Sequence, residues 1–287
     1  LDGAKAFALP TKFGQRMTVK NSRGSDLVWE SLDKEGNSWF NSHISLYDFS
    51  AINTTDQDVS DKLQKILKNA VRQNSEFLSK WNGFKVETQL EFPRSWGLGS
   101  SSTLYDLVSQ WADVNALIMY FKVENGSGYD VACSGAGAPI MYLSNDVEVT
   151  YSPIEFAPKF SKNLYFVHLN EKQDSAKGIK DYIKAVKRKK TFVARATEIS
   201  EAMAACTDLK SFGTLMDNHE DLVADHTGFA KIKDQKFEDY DGSIKSLGAW
   251  GGDFVLATST KSAKETKAYF EGKGYETVLP YADMIAD

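Results

Sequence analysis

Cysteine is almost missing from this chain. Cys133 and Cys206 are the only two in 287 residues, too few and too far apart for a disulfide framework or a thiolate metal site. A reduced compartment, the cytoplasm, is the simplest setting for such usage. No apolar run approaches the roughly 20 residues that a bilayer-spanning helix needs, and no signal-peptide pattern opens the chain, so no membrane partner is expected. An excess of positive charge is lacking too. The 34 basic and 39 acidic residues give a net charge of −5, which disfavours nucleic acid as the main partner and still leaves room for a small anion in a local basic pocket. Internal repeats, heptads and low-complexity linkers are absent as well, which excludes a solenoid or coiled-coil scaffold.

What is present is an ordinary globular composition, 42% apolar and 25% charged, with enough hydrophobic material for a sizeable core. The length predicts one large domain or two intimately packed ones. Alternating segments from Ala6 to Trp39, broken at 22–25 and 34–37, read as strands. Val59, Leu63, Ile66, Leu67, Ala70 and Val71 recur at helical spacing, so a helix is expected over 58–80. Phe84, Val86, Thr88, Leu90 and Phe92 alternate on one face of a strand that ends at Pro93. A buried helix is predicted for 101–121, a loop for 126–137, and strands for 138–143 and 163–169. Helices follow at 174–187, 192–205 and 210–224, then a strand at 253–259, a helix at 262–273 and a strand at 275–279. This mixture lacks the regular alternation of a doubly wound sheet, so the fold class is α+β. Pro153 and Pro158 suggest a boundary that divides the chain into domains at 1–155 and 156–287. The opening segment, LDGAKAFALPTKFGQRMTV, starts on a turn and enters a strand as though an earlier strand had been removed, and an N-terminal truncation is expected.

The most informative stretch is EFPRSWGLGSSST, from Glu91 to Thr103. Gly97 and Gly99 let main chain approach a ligand closely. Ser100, Ser101 and Ser102 fall where a helix N-terminus exposes unpaired N–H groups and a partial positive charge, a natural seat for phosphate. A serine hydroxyl there can also reach a magnesium ion that bridges phosphates. The same residues equally make a plain strand-to-helix turn capped by serine. It is not a Walker A loop, because no GK[ST] follows. A second glycine-rich stretch, NGSGYDVACSGAGAP, holds Asp130, which on turn statistics alone is a turn former.

PRSWGLGSSST resembles the second signature of the GHMP kinases, the galacto-, homoserine, mevalonate and phosphomevalonate kinases. It departs from that signature at Trp96, where many members have glycine, and at Ser102-Thr103, where many have alanines. GSGYDVAC resembles the segment of mevalonate-type kinases whose aspartate addresses the acceptor oxygen, and is closer to the bacterial GYDIA-family branch, from which it differs at Val131. KSLGAWGGDFVLAT, Lys245 to Thr258, resembles the third signature, a glycine-rich loop beside the nucleotide and substrate pocket, with Trp250 interrupting the glycine run.

The resemblance spans nearly the whole chain. It implies the GHMP kinase fold, built of two α/β sub-domains, and ATP-dependent phosphorylation of a small molecule, most plausibly mevalonate or phosphomevalonate in isoprenoid synthesis; the GGD element leans towards phosphomevalonate. ATP phosphates would rest on Gly97, Leu98, Gly99, Ser100, Ser101 and Ser102, with Mg2+ at Ser101, and Asp130 would act as general base. Lys12, Ser175, Lys177, Gly248, Gly251 and Gly252 are the implied substrate-side residues, although Lys12 also reads as a solvated strand-end lysine and Ser175 and Lys177 as a helix start.

Cys133 is expected to be packed rather than nucleophilic. His219 and His226, seven apart in FGTLMDNHEDLVADH, are expected to pack or face solvent rather than bind metal. The run 184–190 reads as a solvated helix face. The family's first signature would precede a segment like LDGAKAFALP, and none of its residues can be assigned; the magnesium carboxylate also lacks a clear match, with Glu124 as the nearby acid. A catalytically silent nucleotide- or metabolite-binding protein on the same fold is therefore the alternative, and a homodimer stays open.

Overall fold

Alternation and turn chemistry place strands at the front of the chain, and the computed structural model has them there. It describes residues 2–79, 82–145, 147–171, 175–186, 190–248 and 252–286. The first elements are β1 (Ala6–Ala8), β2 (Gln15–Ser22), β3 (Asp26–Leu32), β4 (Ser38–Ser45), β5 (Ala51–Thr54), α1 (Gln57–Gln73) and β6 (Gly83–Leu90). Next come α2 (Ser100–Ala112), α3 (Ala116–Val123), α4 (Tyr129–Ser134), β7 (Ile140–Ser144), β8 (Val149–Pro153), β9 (Leu164–His168) and α5 (Ser175–Ala185). The remainder is α6 (Lys190–Ala204), α7 (Leu209–Thr227), α8 (Ile232–Lys236), β10 (Ile244–Ser246), β11 (Phe254–Thr258), α9 (Ala263–Gly272), β12 (Val278–Pro280) and α10 (Tyr281–Met284). Strands and helices mix without regular alternation, which is the α+β class expected.

The chain forms two compact units. One consists of Phe13–Arg94 and Leu98–Gly135. Its five-stranded sheet has the order β2-β6-β3-β4-β5, with β3 parallel to β6 and the other pairs antiparallel. Alternation along β6 buries Val86, Thr88 and Leu90, and the buried Thr88 hydroxyl donates to Ser31 Oγ at 2.9 Å. Helix α1 starts where the Asp56 side chain accepts the Val59 N–H, satisfying one of the otherwise orphaned first-turn donors. Its stripe Leu63, Ile66, Leu67 and Ala70 packs with Leu27, Trp29, Phe40, Ile44 and Val86 into one core. Each fully buried large aliphatic chain contributes roughly 1.5–3 kcal/mol, so this stripe fixes α1 on the sheet.

The long helix expected over 101–121 is two helices. Asp113 takes a left-handed φ of 54° at the end of α2, and Asn115 then caps α3 by accepting the Ile118 N–H at 2.9 Å. The apolar spacing runs on through the break, so periodicity alone does not reveal it. Asn115→Ala is expected to cost about 1 kcal/mol by loss of the cap, measurable as a lower urea midpoint. A second correction concerns 126–137, expected as loop, which contains α4 with Gly128 as its N-cap residue.

The other unit consists of Leu1–Lys12, Ser95–Gly97 and Ala136–Asp287; the boundary expected at 155 falls inside it. It has a four-stranded antiparallel sheet, β10-β11-β9-β12, and a three-stranded antiparallel sheet, β1-β7-β8. Every residue of β9 and β11 is buried, which is why LYFVH and FVLAT read as unbroken apolar runs rather than alternating ones. Tyr165, Val167, Phe237, Val255 and Phe270 lie at the centre of this core. Helix α9 begins with a complete Ser262/Glu265 capping box, and the closing strand is shorter than expected, 278–280 rather than 275–279. The ends expected for α5, Asp174 and Lys187, lie outside the described residues. No helix among the described residues is long and apolar enough to cross a membrane.

Candidate functional site

The glycine-serine turn is anchored at its start by aromatic packing. Within the unit that contains Ser95–Gly97, the Trp96 ring lies edge-on to Phe254, with centroids 5.5 Å apart, and 6.3 Å from His168. His168 Nε2–H donates to the Ser95 carbonyl at 3.1 Å, while its Nδ1 accepts the Asn170 N–H at 3.3 Å. Both contacts require the proton on Nε2, so the turn and β9 fix the tautomer together. Trp96, the departure from the usual glycine, is thus the residue that seats the turn on β9 and β11.

Gly97 has a φ of +65°, and a Cβ at this position would fall inside the Asp253 carboxylate. The glycine of one motif and the aspartate of another are therefore in direct contact. Asp253 itself has φ +53° and is held by its N–H to the Glu171 carbonyl at 2.7 Å and by the Leu169 N–H to its carbonyl at 2.8 Å. Of the residues expected on the substrate side in this unit, Gly252 is buried and Gly248 makes a bend with φ +64°. Gly251 lies outside the described residues, as does the side chain of Ser175 at the start of α5. Lys12 and Lys177 have exposed side chains, and the Lys12 N–H is bonded to the Met284 carbonyl at 2.9 Å.

In the other unit, Gly99 is the N-cap residue of α2 with φ +81°, and no side chain caps the helix. As first-turn groups of α2, the N–H groups of Ser100, Ser101 and Ser102 have no intrahelical partner, the arrangement that suits phosphate. Three side chains converge beside them. Lys62 Nζ lies 2.6 Å from Glu124 Oε1 and 3.3 Å from Ser101 Oγ. The fully buried Tyr105 donates its hydroxyl to the same Glu124 oxygen at 3.2 Å. Burial, reinforced by the Glu124 charge, pushes the Tyr105 pKa well up, so the phenol stays a donor.

Asp130 lies on α4, which is tied to α2. The Ser134 hydroxyl is 3.3 Å from the Ser102 carbonyl, and a side chain at Gly135 would strike Asp106. The Asp130 side chain reaches solvent, yet enough protein surrounds it that desolvation raises its carboxyl above the usual range, against a hydrogen bond from the Tyr129 side chain. Burial and then the Asp130 charge push the Cys133 thiol up to about 12, which keeps it protonated and unreactive as expected. His226 stacks on Phe192 at 3.7 Å, and His219 Nδ1 lies 3.1 Å from Lys245 Nζ; both histidines pack, in line with expectation.

No protein-family profile and no curated protein matches the sequence. Solved structures do match. Methanococcus jannaschii mevalonate kinase aligns with a TM-score of 0.68 at 15% identity, covering 96% of this chain and 90% of that one. Streptococcus pneumoniae phosphomevalonate kinase, in complex with phosphomevalonate and AMPPNP, aligns at 0.66 and 14% identity, covering 96% and 97%. Lactococcus lactis galactokinase complexed with galactose aligns at 0.65 and 13% identity, covering 95% and 84%. The chain has the GHMP kinase fold.

On that fold the donor set can be tested against magnesium. Among the described residues, no group of three His, Cys, Asp or Glu side chains could hold a metal alone. Ser101 and Glu124 nevertheless offer two hard oxygens that already share one cation, the Lys62 ammonium. Magnesium commonly takes one or two protein oxygens and completes its shell with water and phosphate, so the pair fits it. Lys62 and Tyr105 were not legible as site residues. A lysine on a helix face and a tyrosine at core spacing carry no signal until the tertiary fold brings them to Glu124.

Proposed function

We infer that this protein is an ATP-dependent small-molecule kinase. The observation that carries the reading is the uncapped N-terminus of α2, with its serines and the Lys62–Glu124 pair beside it, on a helix fastened to the one that bears Asp130. The backbone donors of Ser100–Ser102 would hold the nucleotide phosphates, and Ser101 with Glu124 would hold magnesium, which when bound supplies neutralisation of phosphate charge. Asp130 would orient the acceptor group and, where that group is a hydroxyl, take its proton. Desolvation that raises its pKa makes it a stronger base than an ordinary surface aspartate.

The acceptors supported best are mevalonate and 5-phosphomevalonate. The motif resemblance and the fold likeness to mevalonate and phosphomevalonate kinases support this reading, and the GGD element ending at Asp253 leans towards phosphomevalonate. The test is ADP release by the protein with ATP and magnesium on mevalonate, phosphomevalonate and galactose. Turnover on either of the first two is expected. ATP binding with no turnover on any acceptor would instead support a silent binder.

A further inference from the structure

We propose that Lys62 is a resident counter-ion for the Ser101–Glu124 oxygen pair, and that a divalent cation enters this position by displacing the lysine ammonium. The inference rests on the kinase reading for its purpose, while its geometry stands alone. Glu124 Oε1 is held from two sides, by Tyr105 OH at 3.2 Å and by Lys62 Nζ at 2.6 Å. Tyr105 is fully buried and lies in the core formed with α1, so the carboxylate is aimed by a rigid group. The lysine reaches the carboxylate on a long, part-exposed side chain, 37% exposed against 31% for Glu124. Its ammonium also lies 6.0 Å from the Tyr105 ring centroid and 3.3 Å from Ser101 Oγ.

A magnesium ion binds oxygens at about 2.0–2.1 Å. It cannot do so at Glu124 Oε1 and Ser101 Oγ while a like charge sits within hydrogen-bond reach of both. Lys62 therefore competes with metal directly. Such a half-exposed pair is weak, so exchange is easy and the competition modest. The lysine spares the acidic oxygen an uncompensated position without metal, and it lowers affinity for a bare ion.

The test is Mn2+ binding to the full chain without nucleotide, followed by electron paramagnetic resonance. Lys62→Met is expected to raise Mn2+ affinity by roughly three- to tenfold, in keeping with the weight of an exposed pair. Lys62→Arg, which keeps the charge, should stay near wild type, and adding Glu124→Gln to Lys62→Met should abolish the gain. Unchanged, weakened or undetectable Mn2+ binding in Lys62→Met overturns the proposal, as does an equal gain in Lys62→Arg. A parallel titration of the wild type with AMPPNP separates the two ideas. A Mn2+ gain in a protein that binds no nucleotide sinks the kinase reading and leaves the counter-ion role standing. Nucleotide binding without a Mn2+ gain does the reverse.

Discussion

Asp130→Asn is expected to slow phosphoryl transfer by ~10²–10⁴-fold while nucleotide binding persists, the usual range for loss of a positioned acid–base group. The substitution keeps the size of the side chain and removes both its negative charge and its capacity to take a proton. Desolvation holds the Asp130 pKa above the ordinary aspartate value, so the active, ionised form is gained as pH rises through that raised pKa. Wild-type kcat/KM should therefore climb with pH through an ionisation above the usual carboxylate range, and the variant should lack that inflection. Stability should move the opposite way. A carboxyl whose folded pKa is raised contributes stability below its unfolded pKa and loses it as pH rises through the folded one. At neutral pH the variant should melt higher than the wild type, not lower. Thermal melts and a pH–rate profile check both halves; a variant with full activity removes Asp130 from the mechanism.

Gly97→Ala should have the largest effect on the fold around the turn. Its left-handed φ of +65° costs a residue with a Cβ ~1–2 kcal/mol. The new methyl would also fall inside the Asp253 carboxylate, an overpacking worth ~1–3 kcal/mol. A total loss of about 2–5 kcal/mol is expected in chemical denaturation, together with weakened AMPPNP binding. The contact gives an internal control. On an Asp253→Gly background the steric part should vanish and only the backbone part, ~1–2 kcal/mol, should remain. Additive costs in the double-mutant cycle would show that the two residues are not coupled.

Much of this was legible in residues before any tertiary information. The α1 stripe, the alternation in β6 and the buried runs of β9 and β11 carry their periods openly. The boundary between α2 and α3 does not, because Leu104, Val108, Trp111 and the apolar residues after Asn115 continue in helical phase across the break. Only the capping chemistry of Asn115 marks it, and that signal is local and easily outweighed by a long apolar pattern. Helix α4 was hidden by the glycines on both sides, which read as loop. In the site, the glycine turn and Asp130 stood out because their motifs are contiguous. The contact between Gly97 and Asp253 joins residues far apart in the chain, and the Lys62–Glu124–Tyr105 cluster joins two helices to the end of a third. Neither leaves a trace in spacing.

Strand β1 pairs antiparallel with β7, Ala6 opposite Tyr142, and all of the other unit's sequence lies between them. During synthesis β1 emerges well before β7, the strand with which it pairs among the described residues. Closing so long a loop carries a larger entropic cost than closing a short hairpin. Residues 13–94, by contrast, contain every strand of their own sheet. Assembly order is thereby built into the connectivity: one sheet can form as it is made, and the sheet of β1 must wait for the chain to return.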